Sequence, residues 1–168
     1  VRNTLYGDNY LEIDIVNALP SIIHHYFGHL GLPYLERYIS DREEFLHSID
    51  GVPPHIVKKA VITSIGTGKT VSQDCIQHRD QLLASNFLNR LRFDHTDILD
   101  GIKNIYPEFY NSYRRMKGNL NGIVFLFAND VETMAIDVIA RYFQDNNIIS
   151  TPLVFDAIYV PKSAVENV

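Results

Sequence analysis

Cysteine is almost missing from this chain of 168 residues. The lone thiol, Cys75, rules out an internal disulfide framework and fits a reducing compartment, cytoplasmic or nuclear, rather than secretion. Long apolar runs are missing as well. None reaches the length that crosses a bilayer, and no charged-then-apolar leader is seen, so no membrane partner is expected. Positive charge is in deficit: the formal net charge is −5. A stand-alone nucleic-acid binder is usually basic, so this balance argues against that class. It leaves room for an enzyme whose carboxylates hold metal ions, because bound cations recover the charge locally. Repeats and low-complexity tracts are also lacking. What is present is apolar residues at nearly half the chain, enough for a core, in a length that suits one domain. The chain opens on Val1 and runs almost at once into strand-like sequence, so a piece of a larger polypeptide is expected.

Periodicity then orders the elements. Residues 4–6 and 10–15 flank Gly7-Asp8-Asn9 and predict a hairpin, since Gly and Asn tolerate a tight turn. Leu11, Ile13 and Ile15 fall on one face of the second arm, with Glu12 and Asp14 on the other. Pro20 suits a first helical turn, and Ile22, Ile23, Tyr26, Phe27 and Leu30 continue at helical spacing. After a break at Gly31-Leu32-Pro33, one helix is predicted over 34–49 and another over 55–64, ended by Gly66-Thr67-Gly68. Residues 72–104 read as mostly helix, and 107–117 as a helix restarted by Pro107. Residues 118–122 read as a loop, and 123–144 as a helix with a broad apolar stripe. Residues 152–160 are a β-branched and aromatic strand. The order predicts an α+β fold: a small antiparallel sheet covered by several helices.

Two constellations compete for the chemistry. Residues 62–70 read ITSIGTGKT and close on Gly68-Lys69-Thr70, the ending of a P-loop. The first glycine of that motif should stand at position 63, which is Thr63, β-branched and poor at the required angles. The parallel α/β alternation of such folds is also missing. A P-loop ATPase fragment using Lys69 stays as one alternative, beside the plainer account of glycines ending a helix ahead of a solvated lysine. The second constellation is a pair of single carboxylates in apolar strands, Asp14 and Asp156. An ionised Asp inside a strand is costly unless paired, metal-bound or turned to solvent. If the two strands are neighbours, the pair can share Mg²⁺ or Mn²⁺, which takes oxygen ligands from carboxylates and substrate phosphates.

The motifs around these carboxylates resemble nucleic-acid polymerases. Asp14-x-x-Asn17-Ala18-Leu19-Pro20-Ser21-Ile22-Ile23 resembles the first palm motif of family B DNA polymerases, Asp-x-x-Ser-Leu-Tyr-Pro-Ser-Ile-Ile. Arg42 follows, with Arg37 as its alternative, and then Lys58, eight residues before Gly66. That spacing resembles the fingers pattern Lys-x-x-x-Asn-Ser-x-Tyr-Gly, although Ile62 and Ile65 replace the Asn and Tyr. Phe155-Asp156-Ala157-Ile158-Tyr159-Val160 resembles the third motif with Val154 in place of its first Asp, which is closer to family A. The resemblance implies a palm begun by 1–30, a helical fingers insertion over 31–71, and the rest of the palm with a helical region over 72–168. It implies Asp14 and Asp156 as metal ligands, Arg42 and Lys58 on the triphosphate (Lys59 if the helix phase shifts by one), and Leu19 under the incoming sugar. The implied partners are primer-template nucleic acid, nucleoside triphosphates and the remainder of a replication polypeptide. In this reading Gly68-Lys69-Thr70 only closes the fingers helix. A non-catalytic palm-like interaction domain is the other alternative.

Other candidates have plain alternatives. His24, His25 and His29 cluster, but the glutamate of a His-Glu-x-x-His site is absent, so surface histidines are the simpler reading. Tyr106, Tyr110 and Tyr113 recur at helical spacing beside Arg114, Arg115 and Lys117. Tyr113 with these cations suits a primer or template contact, whereas tyrosines on an amphipathic helix also serve as core. Glu132, between Asp130 and Asp137, is either an extra polar ligand or part of a solvated face.

Overall fold

The computed structural model describes residues 9–15, 17–120, 122–148, 150 and 157–165. In chain order the elements are β1 (Tyr10–Asp14), α1 (Ala18–Phe27), a 3₁₀ turn (Gly28–Leu30), α2 (Pro33–Ser40), α3 (Arg42–Leu46) and α4 (Pro54–Thr67). A second 3₁₀ turn (Gln73–His78) leads to α5 (Arg79–Ala84), α6 (Asn86–Ile105), α7 (Pro107–Lys117), α8 (Ile123–Asp145), β2 (Ala157–Pro161) and α9 (Lys162–Val165). The fold is mostly helical with a small antiparallel sheet of β1 and β2, which is an α+β layout. Among the described residues, no helix is long and apolar enough to cross a membrane.

The chain divides into two compact units: Val1–Ala18 with Asn129–Val168, and Leu19–Ala128. In the first, β1 runs antiparallel to β2 with Tyr10 opposite Pro161 and Asp14 opposite Ala157. Ile158, Tyr159 and Val160 of β2 are all buried, so both faces of that strand are covered. Ile158 and Val160 of β2 join Ile136 and Phe143 of α8, and Ile13 and Ile15 pack against them. The first arm of the predicted hairpin, residues 4–6, lies outside the described residues, as do 152–156 of the predicted last strand.

The second unit is all helix. Its longest member, α6, starts at Ser85, whose hydroxyl accepts the Leu88 N–H, and stops at Tyr106, held out of helical geometry ahead of Pro107. Helix α4 packs against α6, burying Val57, Ala60, Val61 and Ile65 against an interior that includes Leu88, Leu91, Ile98 and Ile102. Gly66 lies inside α4 because Phe125 crosses it closely: a Cβ there would sit 2.2 Å from Phe125 Cε2.

One expected helix is two. Residues 34–49 divide at Asp41 (φ −117°, ψ 32°) into α2 and α3. Ser40 and Asp41 are weak helix formers whose side chains compete for backbone partners, and the Ser40 hydroxyl donates to the Glu36 carbonyl. Helix α2 has no side-chain cap of its own. Asp94, from α6, fills that role: its Oδ2 accepts the Leu35 N–H at 2.6 Å, and its carboxylate also takes the Tyr34 N–H. A carboxylate at a helix N-terminus satisfies orphan donors and meets the positive end of the dipole.

Candidate functional site

The first motif occupies a strand–turn–helix. Asp14 ends β1, and Asn17 makes the turn with a left-handed φ of 57°, a conformation Asn tolerates better than most residues. The Asn17 Oδ1 is buried with no hydrogen-bond partner among the described residues. Helix α1 then begins at Ala18, which puts half-buried Leu19 and buried Pro20 in its first turn.

A shared site requires the two strands to be neighbours, and among the described residues β1 does pair with β2. The register sets the backbone of Asp14 opposite Ala157, the residue that follows Asp156 in sequence. Asp156 itself lies outside the described residues. Among the described residues, no group of three or more His, Cys, Asp or Glu side chains is arranged to hold a metal ion. The histidine cluster follows suit: His25 and His29 are exposed, and His24 lies 3.8 Å from Glu36 Oε1.

The expected nucleotide ligands Leu19, Arg42 and Lys58 belong to the all-helical unit, and Asp14 to the other. Lys58 is exposed on α4. Arg42 is engaged already: its Nη1 donates to Glu43 Oε1 at 2.7 Å, and its Nε is buried. Burial pushes the Tyr38 phenol above its ordinary value, and the adjacent Arg42 guanidinium works against that rise. Arg37 is the more available of the two candidates. It is exposed, lies 5.3 Å over the Phe45 ring and borders a cavity of about 630 Å³.

Packing accounts for two of the three tyrosines in the row. Tyr113 retains 7% of its surface, leaving almost no ring face for a base. Tyr106 stands 5.2 Å from Phe127 in an aromatic cluster with Tyr26 and Phe109. The core alternative accounts for both rings, because an aromatic on the apolar stripe of a helix gains more from burial than from solvent. Arg114, Arg115 and Lys117 are exposed in the last turn of α7, where cations also suit the helix dipole. Glu132 is half-buried, with Asp130 and Asp137 exposed.

Gly68-Lys69-Thr70 closes a helix and does not open one. Gly68 is a left-handed cap (φ 66°) whose N–H returns to the Ser64 carbonyl at 3.0 Å. A P-loop places its backbone N–H groups at a helix N-terminus, whereas this glycine stands at the carbonyl end. The P-loop alternative loses its geometric basis here.

Sequence reasoning missed Asp94 and His95, adjacent buried ionisable groups on α6. Desolvation raises the Asp94 pKa to about 6, against the two backbone N–H groups that favour its charged form. Desolvation lowers the His95 pKa, opposed by its bond to Ile65, where Nδ1–H donates to the carbonyl at 2.6 Å. The signal for both was a polar residue falling in phase with the buried Leu91 and Ile98 of the α6 stripe. Comparison of the chain with protein-family models, with curated proteins and with solved structures gives no match.

Proposed function

We propose that this chain is the palm and fingers region of a template-directed DNA polymerase, a nucleotidyltransferase that extends a primer 3′-hydroxyl using two divalent ions. The observation that supports this reading is the pairing of β1 with β2, Asp14 opposite Ala157, which joins the two strands of the polymerase-like motifs in one sheet. The donor set suits Mg²⁺ or Mn²⁺: two hard carboxylates, with substrate phosphates completing the oxygen ligands. Asp14 and Asp156 would hold the ions. When bound, such ions lower the pKa of the attacking hydroxyl and stabilise the leaving pyrophosphate. The remaining roles belong to this chain's own cations and packing. Lys58, with Arg37 or Arg42, neutralises the triphosphate oxygens during transfer. Leu19 packs beneath the sugar; smaller and more flexible than the aromatic ring of family B, it screens weakly against a 2′-hydroxyl. Arg114, Arg115 and Lys117 take backbone phosphates of the primer-template.

Mn²⁺ titration followed by electron paramagnetic resonance tests the reading, together with primer extension. Wild type is expected to bind Mn²⁺ and extend a primer. Asp14→Asn and Asp156→Asn are each expected to lose at least the roughly 10–100-fold that removal of even an outer-shell partner costs. Unchanged Mn²⁺ affinity in both variants would sink the proposal.

A further inference from the structure

A second cavity, of about 420 Å³, opens where the loop after α4 meets α5 and α6. Lys69, Arg79 and Arg92 line it, brought from three separate parts of the chain, and no carboxylate is among its described lining residues. Three like charges around one concavity repel one another, so the arrangement is unfavourable unless an anion completes it. The chain carries a net charge of −5, which makes a concavity lined by three cations more telling than it would be on a basic protein.

Two details distinguish this cavity from a chance meeting of surface cations. Arg92 is anchored: its Nε donates to the Gly68 carbonyl at 2.8 Å, which fixes the guanidinium and leaves its terminal nitrogens for another acceptor. Thr70 lines the same cavity and is 3% exposed, yet its hydroxyl oxygen has no hydrogen-bond partner among the described residues. A buried hydroxyl without a partner is destabilising; the Thr70 oxygen has no exposed surface of its own, so a change of side-chain rotamer brings it to a ligand oxygen in the cavity and removes that penalty. Beside the polar groups, Val71, Ile76 and Leu83 form an apolar wall, with Ile76 and Leu83 exposed.

We propose that this cavity is a binding site for a phosphate monoester: Lys69, Arg79, Arg92 and the Thr70 hydroxyl take the phosphoryl group, and Val71, Ile76 and Leu83 take the organic part. Lys69 acts here without a P-loop, as one cation of a side-chain cradle. The proposal does not depend on the polymerase reading, and binding here needs no divalent ion.

The test is calorimetric titration of the whole 168-residue chain in EDTA with inorganic phosphate, and separately with adenosine monophosphate. Both are expected to bind, the nucleotide about tenfold more tightly because of the apolar wall. Arg79→Gln and Lys69→Gln should each weaken both ligands by about tenfold, the loss typical of one charge-assisted hydrogen bond. Thr70→Val should weaken binding while the free protein melts at the same temperature or higher, since the orphaned hydroxyl is gone. Lys103→Gln, on the exposed face of α6, serves as the charge control and should bind as wild type does. No binding by wild type overturns the proposal, as does equal weakening in Lys103→Gln and Arg79→Gln, which would mark a diffuse charge effect. Equal affinity for phosphate and the nucleotide overturns the organic half and assigns the cavity to inorganic phosphate. Asp14→Asn is expected to leave this binding intact, so failure here and failure of the metal site are separable.

Discussion

Asp94 and His95 follow one another on α6 and respond to pH in opposite senses. The folded pKa of Asp94 is raised to about 6 from an ordinary 3.8. Between these values the folded chain holds more proton than the unfolded chain, so this residue's contribution is fully present below the lower value and is lost as pH rises through about 6. His95 is depressed, so its contribution is present above 6.5 and is lost as pH falls through the folded value. Denaturant titrations of Asp94→Asn should show the separation. The amide keeps an acceptor for the Leu35 N–H, and stability should then fall steadily on acidification below 6.5. Wild type should hold or gain stability from pH 6 toward 4, with a slope for this residue no steeper than about 1.4 kcal/mol per pH unit. Asp94→Ala should cost about 1–3 kcal/mol at acid pH, where the residue's contribution is fully present, and less as pH rises through about 6.

Gly66 invites a second residue-scale prediction. A Cβ there meets Phe125 Cε2 at 2.2 Å, so the Phe125 ring or the helix backbone must shift. Gly66→Ala should therefore cost about 1–3 kcal/mol by overpacking. Adding Phe125→Leu should return part of it, and a double-mutant cycle by chemical denaturation measures the coupling. The glycine that matches a fingers motif thus has a packing reason of its own.

Among elements, the two-stranded sheet is the most exposed to single changes, since an isolated pair of strands needs an apolar partner to persist. Ile158 is 1% exposed against Ile136 and Phe143 of α8. Ile158→Ala should cost about 2–5 kcal/mol. Hydrogen exchange should show the loss in β1, β2 and the second half of α8. Elements were also where the sequence was most readable. Strict alternation announced β1, the wide apolar stripe announced α8, and Pro107 with Gly118 bracketed α7 to the residue. The break at Asp41 was hidden because the apolar spacing of Tyr38, Phe45 and Leu46 continues across it. The Asp94 cap was hidden for another reason: its partner Leu35 lies 59 residues away, and no local pattern encodes that distance. The candidate site was legible as two strands that pair. The basic cavity was not, because Lys69, Arg79 and Arg92 converge only through the folding of α4, α5 and α6.

At the scale of the whole molecule, charge sets the expectation for nucleic acid. A chain of net −5 binds an anionic polymer only where its cations are gathered, and the end of α7 gathers three. Replacing Arg114, Arg115 and Lys117 together by Gln should weaken duplex binding and reduce the slope of log K against log salt by about 2–3, near 0.9 for each phosphate no longer neutralised. Fluorescence anisotropy at several salt concentrations measures it; an unchanged slope assigns these residues to the helix terminus alone.

The pairing of β1 with β2 also carries a temporal consequence. Tyr10 finds its partner at Pro161, so Leu19–Ala128 is threaded between two halves of a unit that is incomplete until its last strand exists. On a ribosome adding about 5–20 residues each second, β1 emerges before β2 and waits about 7–30 s for it. The inserted helices meet no such delay. The strand made before the inserted helices is therefore paired only after them, and any factor that shields an unpaired strand edge has its best opportunity in that interval.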